Sequence, residues 1–113
     1  MQNYLNIDLD FFQQQKVQKL ENYLGKEAVG FYLELKLRLA SAKDYRLPID
    51  YEILSYYSHL TVSFIRSVIE DYDLFIIEDV QLFDSTGFCV KSVPYFWCED
   101  VVEKMTEINN DII

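Results

Sequence analysis

The sequence predicts an α+β fold, a mostly helical winged helix-turn-helix with a small antiparallel β wing and a C-terminal amphipathic helix. Three observations lead there. Apolar residues recur at helical spacing in four stretches between Gln13 and Tyr72. Two β-rich runs, Leu74 to Glu78 and Phe88 to Val93, then flank the turn signal DSTG. Helical spacing returns from about residue 96 to residue 113. No repeat, linker or low-complexity segment divides the chain, so residues 1–113 form one domain, with a core at about 4–93 and the last helix at about 96–113. A chain of this length buries roughly 65% of its unfolded surface on folding, which is enough for one core.

The first helix runs from Gln13 to Leu24, with Val17, Leu20, Tyr23 and Leu24 on its apolar side. Gly25 ends it, because glycine enters the left-handed conformation without a Cβ penalty. From Lys26 to Ala40, "KEAVGFYLELKLRLA" is apolar almost all round and is expected to be the most buried helix, with Glu34 and Arg38 as an exposed i, i+4 ion pair. The alternation "LELKLRL" also fits a strand, but Leu, Glu, Lys, Arg and Ala favour helix. Gly30 inside this helix suggests the close approach of another group.

Pro48 pushes Leu47 into an extended conformation after the loop "SAKDYR". Asp50 caps a short helix that turns Ile53, Leu54 and Tyr57 inward, and Thr61 caps the next. That next helix carries a core stripe of Phe64, Ile65, Val68, Ile69 and Tyr72, and it turns Ser63, Arg66, Ser67 and Glu70 outward. The hairpin follows, with Pro94 closing it. A short extended segment, a helix pair and a hairpin in this order make a winged helix-turn-helix.

Composition narrows the function. Half of the residues are apolar and 16% are aromatic, which argues against disorder. No window approaches the roughly 20 apolar residues of a membrane span, and "MQNYLNIDLD" lacks the features of an export signal, so a cytoplasmic protein without a membrane partner is expected. Cys89 and Cys98 are too few and too far apart for a metal knuckle or redox pair, and are expected to be buried thiols. The acids of "EDYD" lack the ligand order of a calcium loop, and His59 has no catalytic partner at a recognisable spacing. Phosphate-binding and nucleophile motifs are absent, so neither enzymatic activity nor a cofactor is expected.

The motifs resemble a known family. "YLNIDLDFFQQQKVQKL", "LGKEAVGFYLEL", "YRLPIDYEIL" and "SVIEDYDLF" together are similar to the Lin1244/Lin1753-like N-terminal domain, and to the N-terminal winged-helix domains of phage replisome organizers and of the DnaD primosome protein. Asp10, Phe11, Phe12 and Lys16, the Gly25 to Gly30 segment with Tyr32, and the "LF" that opens the wing carry most of this likeness, which extends to about Ser92. Many relatives have a His-Asp pair before the first helix; here Ile7 precedes Asp8. The resemblance implies a non-enzymatic domain that helps to start phage or mobile-element replication, and self-associates while a C-terminal segment of a longer protein contacts DNA.

Two functions fit these residues. Direct DNA reading would use Arg66, the one side chain on its helix suited to a bidentate guanine contact, with Ser63, Ser67 and the wing's Lys91 beside it. Lys16 and Lys19, one turn apart, would add a basic edge, or they simply balance Glu21 and Glu27 as surface lysines. Charge opposes this reading: the net charge is −9, residues 1–50 are balanced, and the whole excess lies in the half that contains Arg66. The second function is assembly with another copy or with a replication protein. Its candidate surface is Tyr95, Phe96 and Trp97, between the wing and the last helix, continued by the stripe Val101, Met105, Ile108 and Ile112. That stripe equally suits packing on its own domain. Nine tyrosines exceed what a small core satisfies, so some are expected at an exposed surface.

Overall fold

Helix α1 spans Gln15–Leu24 in the computed structural model, which describes residues 4–111. A short 3-10 turn, Phe11–Gln13, leads into it. Val17 and Leu20 are buried, as their spacing requires, whereas Tyr23 is exposed, with its ring tilted against that of Tyr72 at 6.4 Å. Gly25 has φ 86°, the positive value that glycine tolerates best, and it sits between α1 and α2, which begins at Lys26 and ends at Ser41. The helical alternative for "LELKLRL" is thus the observed one. Helix α2 is the centre of the domain and buries seven residues. Glu34 and Arg38 pair at 3.6 Å on its wet side.

Strand β1, Leu47–Pro48, is followed by α3, Tyr51–Ser58, and α4, Val62–Glu70. Both expected caps are present: the Asp50 carboxylate accepts the Ile53 N–H at 3.1 Å, and the Thr61 hydroxyl accepts that of Phe64 at 3.2 Å. On α4, Ile65, Val68 and Ile69 are buried and Phe64 and Tyr72 pack partly against them. On α3 only Leu54 follows the expectation. Ile53 and Tyr57 are exposed, because this two-turn helix touches the core along a single narrow line.

Strands β2, Ile76–Phe83, and β3, Cys89–Trp97, form the wing. The sheet is antiparallel with order β1-β3-β2. Pro94 does not close the hairpin: it lies inside β3, opposite Asp79, and its carbonyl accepts the Ile49 N–H on the β1 side. Its nitrogen faces the same side as that carbonyl, where the ladder to β1 runs out, so the missing N–H breaks no bond to β2. Phe96 and Trp97 therefore belong to a strand, and the last helix, α5, starts later and spans Glu99–Asp111. This element order is compatible with a winged helix.

The core lies between α1, α2, α4 and α5, with Phe96 entering from the sheet. A line of rings runs through it, from Phe12 to Phe11, Tyr32, Phe75 and Phe96, with neighbouring centroids 5.1–5.9 Å apart. The Tyr32 hydroxyl is buried beside the Cys98 thiol without a hydrogen bond of standard geometry, and burial followed by Cys98 and Asp100 raises its pKa.

Lys36 is buried in this core at 3% exposure. Its ammonium lies 5.2 Å from the Tyr32 ring centre and 5.4 Å from that of Phe11, and it donates to Asp100 of α5 at 2.6 Å. Lys104 flanks Asp100 at 3.6 Å and ties α5 to the N-terminal segment through Asp8 at 3.1 Å and the Asn6 carbonyl at 2.9 Å. Burial raises the pKa of Asp100, but the hydrogen bond and charge of Lys36, then the charges of Lys104 and Lys16, outweigh it and leave the carboxyl below its ordinary value.

Removing one partner of such a pair strands the other. Asp100→Ala should destabilise the domain by about 3 kcal/mol, the lower end for a buried pair because Asp100 keeps some contact with water. Lys36→Met should cost less, about 1 kcal/mol or below, since Lys104 still neutralises Asp100. Urea titration at pH 7 checks this order. The depressed Asp100 pKa gives stability that is complete above the unfolded carboxylate range, about pH 4, and is lost as pH falls through the lower folded value. Urea midpoints measured from pH 7 down to 2 should therefore drop on the acid side less steeply in Asp100→Ala than in the parent chain.

Candidate functional site

Helix α4 presents Ser63, Arg66 and Ser67 on its outer side, where a reading helix would carry its base contacts. Each is engaged inside the domain. The Arg66 guanidinium lies 3.7 Å from the Glu70 carboxylate and 4.9 Å from the centre of the Tyr51 ring. Glu70 in turn accepts the Tyr51 hydroxyl proton, and burial, then this bond, raises the Tyr51 pKa. Ser67 donates to Asp71 at 3.0 Å, and the Ser63 hydroxyl is 3.4 Å from that of Thr61. A base contact from Arg66 would require it to leave a carboxylate that bulk solvent screens only in part.

The other candidate cations do not gather around Arg66. Lys91 is exposed on β3, and Lys16 and Lys19 are exposed on α1, so the six candidates occupy three separate elements. Among the described residues there is no cluster of three or more His, Cys, Asp or Glu side chains that would hold a metal ion. No helix among them is long and apolar enough to cross a membrane.

The stripe of the last helix faces inward. Val101 and Met105 are buried against α2 and Ile108 packs partly on the core, while Ile112 lies outside the described residues. Phe96 is fully buried as well. Three of the proposed interface residues thus belong to the core, because α5 must cover the side of α2 from which Lys36 projects.

Tyr95 and Trp97 are placed differently. Side chains directly opposite each other in an antiparallel ladder share a face, so the register Ile76–Trp97, Glu78–Tyr95, Val80–Val93 and Leu82–Lys91 sets these eight residues on one side of the wing. Phe96 and Leu47 project from the other side, into the core. On the outer side Val80, Leu82, Val93, Tyr95 and Trp97 are half-buried, Ile76 is exposed, and none of the six packs against the core. Arg46, from the loop before β1, lies over the Tyr95 ring at 5.2 Å. The outcome is an apolar sheet face with one arginine, one lysine and one glutamate on it.

The wing also projects. The radius of gyration is 15.5 Å, against about 13 Å for a compact chain of this length, and the extents are 49 × 41 × 22 Å. Phe83, Phe88 and Val90 are exposed at its end, and so is Cys89, contrary to the expected buried thiol, because neither face of the sheet reaches the core there. β2 forms an edge of the sheet over eight residues, guarded by the charges of Glu78 and Asp79. The tip is rigidified by Asp84, whose carboxylate accepts the Thr86 hydroxyl at 2.6 Å and the N–H groups of Thr86 at 2.9 Å and Phe88 at 3.1 Å. The Thr86 hydroxyl first, then these amides, lowers its pKa.

Alternation in "IIEDVQLF" and "VKSVPYFW" was the available signal for this face, but it becomes legible only once the strands are known to extend to Phe83 and Trp97. Tyr4, Tyr23, Tyr56 and Tyr57 are exposed, in keeping with the expectation of surface tyrosines. Comparison with known proteins adds no relative: no family model, curated protein or solved structure matches the chain.

Asp84→Ala should speed amide exchange at Thr86 and Phe88 while leaving the melting temperature of the domain unchanged, since the tip is exposed and adds nothing to the core. Hydrogen exchange by NMR checks both sites at once.

Proposed function

We propose that this chain is a non-enzymatic winged-helix assembly domain, acting in a cytoplasmic replication-initiation protein of a phage or other mobile element, and that it associates with further copies through the wing. The observation that carries the proposal is the apolar outer face of the sheet, Ile76, Val80, Leu82, Val93, Tyr95 and Trp97, which its own core leaves uncovered. Aromatic residues joined to an arginine, as in the Arg46–Tyr95 stack, are the composition favoured at the centres of protein interfaces. The likeness of "DFF", "LGKEAVGFYLEL" and "YDLF" to replisome-organizer domains supplies the replication setting. Engagement of Arg66 by Glu70, together with the acidity of the second half of the chain, sets DNA reading by α4 below assembly as a function.

Sedimentation across a wide concentration range tests the proposal. The chain should associate with rising concentration, and Leu82→Asp, which places a charge on the outer face away from the core, should weaken that association at an unchanged melting temperature. A monomer at every concentration would refute it. Anisotropy of labelled duplex DNA supplies the opposing outcome: salt-sensitive binding that is lost in Arg66→Ala would move the function to α4.

A further inference from the structure

We infer that the groove beside α1 is a second self-docking surface, which takes the same groove of another copy of this chain about a twofold axis. Phe12, Glu21, Lys26, Val29, Gly30 and Leu33 line it, and its volume is about 490 Å³. It opens on the opposite end of the chain's sequence from the wing and shares no residue with the wing face.

Gly30 is the first reason to expect an occupant. Glycine inside a 16-residue helix disfavours that helix relative to alanine, so it is normally explained by a close neighbour. Here a Cβ built on Gly30 would meet nothing within 4 Å. The close approach expected from the sequence is therefore absent within the domain, and the helix leaves an open floor where an incoming group can reach its backbone.

The chain itself carries a matching group. Leu9 is fully exposed in the turn before the 3-10 segment, and Phe12, in that segment, lines the groove while more than half exposed. An apolar projection beside an apolar depression is the arrangement that a twofold axis satisfies twice, since each copy fills the other's groove. Charge makes the same selection. Glu21 and Lys26 both line the groove, and neither forms an ion pair among the described residues. A partner that covers the groove has to bring a base to one and an acid to the other, and the twofold-related copy brings Lys26 to Glu21 and Glu21 to Lys26.

The test uses the Leu82→Asp chain, so that association through the wing face is already weakened, and follows mass against concentration at low salt. Glu21→Lys alone places two lysines together at both contacts, and Lys26→Glu alone places two glutamates together. Each should weaken the residual dimer at least about 10-fold. The double exchange, Glu21→Lys with Lys26→Glu, should restore it, and so should mixing the two single variants, which then pair only with one another. Gly30→Leu, whose Cβ has nothing within 4 Å inside the domain, should weaken the dimer while the chain melts at or above the parent temperature. Several outcomes would overturn the inference: a monomeric Leu82→Asp chain at every concentration, single variants that associate like their parent, or losses that neither the exchange nor the mixture repairs. The last result would mean that the groove meets a different face of the other copy, without the inferred twofold pairing. A monomeric Leu82→Asp chain made from an associating parent would still leave the wing proposal standing.

Discussion

A single buried cation organises this domain. Lys36 lies in the middle of the most buried helix, beside the rings of Phe11 and Tyr32, where an uncompensated charge would be strongly unfavourable. Asp100 answers it from the far end of the chain, and Lys104 and Asp8 complete a row of alternating charges that runs from α2 across α5 to the N-terminal segment. The row fixes the rotation of α5 about its own axis. Once Asp100 must reach Lys36, Val101 and Met105 are turned onto α2, and the stripe of the last helix closes the core. The hydrophobic contacts supply the area, and the ion pair selects which face supplies it.

That selection explains why Tyr95 and Trp97 remain outside. With α5 occupying the open side of α2, the sheet has only Phe96 and Leu47 to place in the core, and alternation in β3 sends their neighbours to the opposite face. The wing is thus anchored at its base by one ring and projects for the rest of its length. Meanwhile α4 has its one arginine folded back on Glu70 and Tyr51. The second half of the chain thus joins a helix pair and a hairpin to an excess of carboxylates that work against a polyanion.

Much of the fold was legible in the sequence because its signals are local. Asp50 and Thr61 announce helix starts through bonds to residues three positions away, Gly25 announces a turn through its own φ, and Val17, Leu20, Ile65, Val68 and Ile69 lie at the spacing of one helix face. What escaped depends on distant partners. Lys36 looks like an ordinary surface lysine until Asp100, 64 positions later, is seen beside it. Pro94 looks like a terminator until β1 is known to end at its edge, and Ile53 and Tyr57 look like core until α3 is found to meet the rest of the domain on one narrow side only. The candidate interaction surface was half legible for the same reason. Tyr95 and Trp97 were visible as aromatic residues, but Phe96, Val101 and Met105 are sorted from them only by long-range packing.

The wide separation of Lys36 and Asp100 also bears on how the chain is made. During synthesis the Phe11, Tyr32 and Lys36 cluster emerges well before α5, and likewise β1 must wait for Phe96 and Tyr95 to arrive as its ladder partners. Until then the growing chain holds an ammonium group that it cannot bury and a core that it cannot shut, so the N-terminal helices stay loosely collapsed and accessible. Only with α5 in place can Asp100 meet Lys36 and the core close. A nascent or broken chain that lacks that helix therefore carries its own mark of incompleteness, an exposed aromatic cluster around an unmatched charge, which chaperones and proteases are able to distinguish from the finished domain.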